Sequence, residues 1–189
     1  MIVIGASRGG SKALQTLLRG LPHPFPMPLA VVLHRHKEAG DLLPPFLQEG
    51  SQLAVSEVVD KEPIQPGHVY IAPPDYHLLV EPTHFSLSTD EPVSYARPSI
   101  DVLFESAADA FGPKVIGVVL TGSSPDGAHG AAQIKRCGGQ IVIQAPETAE
   151  DPTMPLAAWK ATRTPHVRSL DQIATVLIEL AQAMLKTAP

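Results

Sequence analysis

The sequence predicts a doubly wound α/β protein, with a mostly parallel sheet, helices on both faces and a small antiparallel β excursion. Short apolar runs rich in β-branched residues, at Ile2 to Ile4, Leu29 to Leu33 and Val115 to Leu120, are free of charge, as strands covered on both faces are. Apolar stripes at helical spacing alternate with them, at Ala13, Leu14, Leu17, Leu18 and Leu21, and again from Ile100 and from Ile173. Polar, glycine-bearing turns follow the first and third runs, at the strand ends where open α/β sheets place their chemistry.

The first strand breaks into Gly5-Ala6-Ser7-Arg8-Gly9-Gly10 before a helix of about three turns. Glycines permit a tight turn and positive φ, so Ser7 is presented at a strand's carboxyl end beside a helix amino terminus. Three readings of this turn stand open. It fits G-x-S-x-G, which exposes a serine nucleophile on a strand-to-helix bend. It is similar to the opening of short-chain dehydrogenases, with Arg35 placed to take a 2′-phosphate. Or it only makes the turn and caps the helix.

A Pro-rich loop, which cannot be helix, leads to Leu29–Leu33, and that strand ends in His34-Arg35-His36. A short helix is expected over Leu42–Gln48 and a strand over Leu53–Val59. From Pro66 to Thr89 three short strands, His68–Ala72, Tyr76–Val80 and Phe85–Ser88, are separated by proline turns and predict the antiparallel excursion. His77 and His84 read there as surface residues. Ser99 is the natural N-cap of a helix whose stripe is Ile100, Leu103, Phe104, Ala107, Ala108 and Phe111. Val115–Leu120 ends in Thr121-Gly122-Ser123-Ser124-Pro125-Asp126-Gly127, again before a helix. Gln140–Ile143 is the last clear strand, and Ser169-Leu170-Asp171-Gln172 opens the C-terminal helix with a capping-box pattern.

At 189 residues the chain reads as one domain spanning 1–189, long enough for a sizeable core. A net charge of −5 argues against a nucleic-acid partner, whose phosphates call for a basic face. No apolar run is long enough to insert in a membrane, and the N-terminus lacks a signal-peptide pattern, so a cytoplasmic location is expected. The lone Cys137 excludes an internal disulfide and reads as a buried, inert thiol. His34-x-His36 has no accompanying ligand cluster, so no metal is expected, and no cofactor either.

Three polar groups thus arrive at strand carboxyl ends: Ser7, His34 or His36, and Asp126. They are the inventory of a serine hydrolase, in which an imidazole takes the hydroxyl proton and a carboxylate holds the imidazole tautomer. Their order, Ser-His-Asp, differs from the Ser-Asp-His of α/β-hydrolases. The dehydrogenase alternative lacks a tyrosine followed four residues later by lysine, since Pro74, Val80 and Ser99 stand there after Tyr70, Tyr76 and Tyr95, and the glycine spacing fails G-x-G-x-x-G.

Four ordered segments are more specific. Ile4-Gly5-Ala6-Ser7-Arg8-Gly9-Gly10, Val31-Val32-Leu33-His34, Arg97-Pro98-Ser99-Ile100-Asp101-Val102-Leu103-Phe104, and Leu120-Thr121-Gly122 with Asp126-Gly127 resemble the motifs of the chemotaxis protein-glutamate methylesterases, the CheB-type catalytic domain. Met154-Pro155-Leu156-Ala157-Ala158 extends the likeness toward the end of the chain. The resemblance implies Ser7 as nucleophile, His34 as general base and Asp126 as orienting acid. It further implies backbone N–H groups of Arg8 and Ser123 in an oxyanion hole, and Arg97 in substrate binding. The implied substrates are glutamyl methyl esters on the cytoplasmic helices of chemoreceptors, with methanol released; many members also deamidate glutamines. Arg8 stands where the family often has Ser or Thr, Ser123 where Met is usual, and Pro125 and Trp159 are further local differences. Family members typically carry an N-terminal receiver domain, whereas this chain opens at its first strand, so a standalone esterase, active without phosphodonor, is expected. A catalytically silent receptor-binding module is the remaining alternative. Arg8, Arg35 and Arg97 are expected to ring the cleft and steer toward an acidic helix.

Overall fold

The computed structural model describes residues 1–35 and 42–186. Its strands are β1 Ile2–Ala6, β2 Leu29–Leu33, β3 Ala54–Glu57, β4 His68–Ile71, β5 His77–Val80, β6 Phe85–Ser88, β7 Ile116–Val119, β8 Gln140–Gln144 and β9 His166–Arg168. The helices are α1 Gly10–Arg19, α2 Leu43–Gln48, α3 Ile100–Phe111, α4 Ala128–Arg136, α5 Thr153–Thr162 and α6 Leu170–Lys186. Seven strands form one parallel sheet in the order β3-β4-β2-β1-β7-β8-β9, and β5 and β6 form a separate antiparallel pair. The doubly wound α/β architecture is therefore the observed one.

The strand order reverses at β1. The chain fills the sheet on one side of β1 with β2, β4 and β3, then returns to fill the other with β7, β8 and β9. Loops leaving β1 and β7 part company at that point, which opens a crevice at the carboxyl ends.

Alternation within the strands divides the interior into two layers. Ile2, Ile4 and Ala6 of β1 pack with Leu14, Leu17 and Leu18 of α1 and with Ile173 and Leu177 of α6. Val3 faces the opposite way, into Leu103 and Phe104 of α3, Ile134 of α4 and Met154 of α5. Each of the larger of these side chains, fully removed from water, stabilises by about 1.5–3 kcal/mol. Gly5 is required where α3 crosses β1, because a Cβ there would lie 2.3 Å from Ile100 Cγ2.

Two sequence readings change. Residues His68–Ile71 join the main sheet, parallel to both β2 and β3, and only β5 and β6 make the antiparallel excursion. The reason lies in the layers: Val69, Tyr70 and Ile71 are all buried, as a central strand requires. His77 is buried rather than a surface residue, at 2% exposure. The strand β9 and the extent of α5 were not legible as elements. Among the described residues no helix is long and apolar enough to cross a membrane.

Candidate active site

Ser7 leaves β1 on a turn pinned from both sides. Its N–H donates to Thr121 O at 3.0 Å, and its carbonyl accepts from Gly10 N–H at 2.8 Å, so the turn closes onto the start of α1. Gly9 sits at φ 75°, a left-handed conformation that favours glycine. His34 extends β2 by one residue, its N–H donating to Ala6 O at 3.0 Å. Both side chains line one cleft of about 560 Å³, together with Arg35, Asp75, Tyr95 and Arg97. An adjoining, more apolar lobe shares Ser7 and His34 and is walled by Leu33, Leu42, Leu43 and Phe46.

Asp126 reaches the same place from the loop after β7. His34 Nε2 and Asp126 Oδ2 are 2.7 Å apart. The carboxylate is 1% exposed and accepts three further hydrogen bonds: from Ser99 Oγ at 2.9 Å, Ile100 N–H at 2.7 Å and Asp101 N–H at 3.1 Å. Asp126 therefore caps α3 from outside that helix, meeting both its free N–H groups and the positive end of its dipole. Ser99 does occupy the N-cap position, but its hydroxyl is spent on Asp126 and makes no cap bond of its own. Burial pushes the Asp126 carboxyl up, but the His34 ring and the Ile100 and Asp101 N–H groups outweigh it and hold the group below its ordinary value. It is an ionised acceptor at neutral pH. With Nε2 held by Asp126, the imidazole nitrogen left for other chemistry is Nδ1.

Below Ser7 a small knot fixes the loop. Thr121 N–H donates to Gln144 Oε1 at 2.9 Å, and Thr121 Oγ1 donates to Arg8 O at 2.9 Å. Gly122 N–H donates to Asp151 O at 3.1 Å, and Met154 N–H to Gly122 O at 2.9 Å, which ties in the start of α5. A Cβ on Gly122 would stand 2.6 Å from Met154 Cε and 2.9 Å from Ser7 Cβ, so only glycine fits under the serine. Gln144, fully buried, was not singled out from the sequence, where a glutamine at a strand end carries no signal. Among the described residues, the backbone N–H groups of Arg8 and Ser123 donate to no protein acceptor.

The three arginines are not free cations. Arg35, with its side chain nine-tenths buried, pairs with Glu57, which removes it as a phosphate ligand for a dinucleotide. Arg97 lines the cleft, but its guanidinium is taken by Asp75 at 2.7 Å and by the carbonyls of Thr89 at 2.9 Å and Asp90 at 3.1 Å. Arg8 lies 3.8 Å from Glu150, both exposed. Each positive charge thus has a carboxylate beside it, and steering by unpaired arginines loses its basis. His36, the other imidazole weighed above, lies outside the described residues. Cys137 is half-buried at the end of α4, less enclosed than expected. Among the described residues no group of three or more His, Cys, Asp or Glu side chains is arranged to hold a metal ion.

Residues 2–177 match the family model described as CheB methylesterase. The chain belongs to the CheB methylesterase family. A Leptospira interrogans protein named "Putative protein-glutamate methylesterase/protein-glutamine glutaminase" is 44% identical over 186 residues, covering 98% of this chain and 96% of the relative. The like-named proteins of Anaeromyxobacter dehalogenans and Thermotoga maritima are 40% and 34% identical, and this chain spans only 53% and 54% of their lengths. The crystal structure of the Thermotoga maritima CheB methylesterase catalytic domain superposes with a TM-score of 0.92 at 34% identity, covering 95% of this chain and 97% of that one.

Proposed function

We propose that this CheB methylesterase family chain hydrolyses glutamyl methyl esters on the cytoplasmic helices of chemoreceptors through a Ser7-His34-Asp126 triad. The observation that carries the reading is the 2.7 Å contact between His34 and the buried, ionised Asp126, in a cleft that Ser7 also lines. In the proposed sequence His34 Nδ1 takes the Ser7 hydroxyl proton as Oγ adds to the ester carbonyl. The N–H groups of Arg8 and Ser123, which have no other acceptor among the described residues, receive the oxyanion. A backbone donor is indifferent to the side chain it carries, so Arg and Ser at these positions are compatible with that role. As the tetrahedral intermediate collapses, His34 returns the proton to the departing methoxide, and methanol leaves. Water, deprotonated by the same imidazole, then hydrolyses the glutamyl ester of Ser7 and yields glutamate. Asp126 holds the ring tautomer and stabilises the imidazolium throughout.

The same steps with ammonia as leaving group convert glutamine to glutamate, the second reaction in the relatives' names. The test is methanol release from a methylated receptor fragment. Ser7→Ala is expected to lower the rate by several powers of ten while the thermal melt stays close to wild type, because the side chain is not part of the core. Unchanged turnover in that variant overturns the triad.

A further inference from the structure

A second buried imidazole stands behind the first. His77 opens β5 at 2% exposure, and both of its ring nitrogens are engaged. Ser99 N–H lies 3.2 Å from Nδ1, and Glu91 O lies 3.1 Å from Nε2. A backbone N–H can only donate and a carbonyl can only accept. The two neighbours therefore select one neutral tautomer, with Nδ1 bare and the proton on Nε2. A doubly protonated ring would set a donor against the Ser99 N–H, and the other tautomer would leave both ends mispaired.

The two ends lead to different parts of the site. Ser99, itself fully buried, sends its hydroxyl to Asp126 Oδ1 at 2.9 Å and immediately precedes the Ile100 N–H that holds Oδ2. Glu91 sits in the segment that continues through Pro92, Tyr95, Ala96 and Arg97, the outer wall of the cleft. Building on the methylesterase reading, we propose that His77 is a positioning residue that ties the outer wall of the cleft to the seat of the Asp126 carboxylate. Removing the Nδ1 acceptor leaves the Ser99 N–H buried and unpaired, and any shift of Ser99 to relieve it carries the hydroxyl away from Asp126. Removing the Nε2 donor frees Glu91 O to turn to water and loosens the wall, with no direct effect on Asp126.

The two ends separate in two conservative variants. His77→Asn keeps an acceptor near Nδ1 but cannot reach Glu91; His77→Gln carries an amide donor toward Glu91 and leaves the Ser99 N–H without its acceptor. On methanol release from a methylated receptor fragment, His77→Gln is expected to lose about 10- to 100-fold in kcat with little change in KM. His77→Asn is expected to raise KM several-fold and keep kcat within about threefold of wild type. Amide hydrogen exchange on the same proteins reads the tie without turnover: Ser99 and Ile100 exchange faster in His77→Gln than in His77→Asn. Equal kcat and KM effects in the two variants, or equal exchange at Ser99 and Ile100, overturn the role given to His77. Absence of methanol release from the wild-type chain overturns the methylesterase reading instead, and the exchange rates then decide the tie by themselves.

Discussion

The floor of the cleft and its outer wall are built by opposite means. On the floor, Ser7, His34 and Asp126 sit directly at the ends of β1, β2 and the loop after β7, and backbone groups locate them: Thr121 O, Ala6 O, and the N–H groups of Ile100 and Asp101. On the wall, Ser94 and Tyr95 take left-handed backbone conformations at φ 52° and 63°, Tyr95 is fully exposed, and side chains tie the loop down: the Arg97 guanidinium at the Thr89 and Asp90 carbonyls and the His77 ring at Glu91 O. Backbone anchors on a seven-stranded sheet leave little freedom, which suits reacting atoms that must be placed to within a fraction of an ångström. Side-chain anchors on an exposed loop leave room for adjustment, which suits contact with a protein substrate.

The contrast is broken most severely at Asp126. Asp126→Asn is expected to lower kcat by up to about 10⁴-fold, because an amide presents the wrong partner to the ring nitrogen and favours the wrong tautomer. Its remaining oxygen still accepts from the helix terminus, so folding should persist; methanol-release kinetics paired with a thermal melt check both halves. A variant that keeps wild-type kcat removes Asp126 from the chemistry and leaves it only a helix cap.

Arg97 tests the wall. Arg97→Ala releases Asp75 and the Thr89 and Asp90 carbonyls together, and is expected to raise KM about tenfold while kcat falls less than about threefold. Arg97→Lys should restore little of the loss, since one ammonium cannot reproduce a planar fork that serves three acceptors. A fall in kcat with KM unchanged would place Arg97 with the floor.

The smallest effect on turnover is expected from Asp101, which lies behind the floor. Its carboxylate is buried and accepts from Gly130 N–H at 2.7 Å. Burial, with the nearby Asp126 and Glu105 charges adding to it against that N–H, pushes the group up to about 6. The folded pKa lies above the unfolded one, so the folded state holds the proton more tightly, and stability is lost as pH rises between about 4 and 6. Asp101→Asn removes the charge but keeps an acceptor for Gly130. It is expected to stabilise by about 1–3 kcal/mol at pH 8 and by almost nothing at pH 4, measured by urea unfolding at the two values. A variant equally destabilised at both pH values would mean that the carboxylate's geometry, not its charge, is what matters.

Much of this architecture is legible in the sequence because its signals are local. Uncharged β-branched runs mark strands wherever both faces are covered, and the glycines of the Gly5–Gly10 turn announce a left-handed residue and a serine presented at a strand's carboxyl end. Asp126 stood out for the same reason, as a carboxylate in a polar turn between an apolar strand and a helix. What the tertiary structure decided was the choice of distant partners. Nothing in His68–Ile71 says that its neighbours are β2 and β3 rather than β5, because a four-residue strand carries no record of its pairing. Ser99 reads as a helix cap until a carboxylate 27 residues away takes its hydroxyl, and His77 reads as a surface residue until Ser99, 22 residues on, closes over it. Arg35, Arg97 and Arg8 look like a positive rim until Glu57, Asp75 and Glu150 fold against them. Propensity and periodicity act over a few residues, whereas the burial that forces a polar group to find a partner exists only once the whole sheet has assembled.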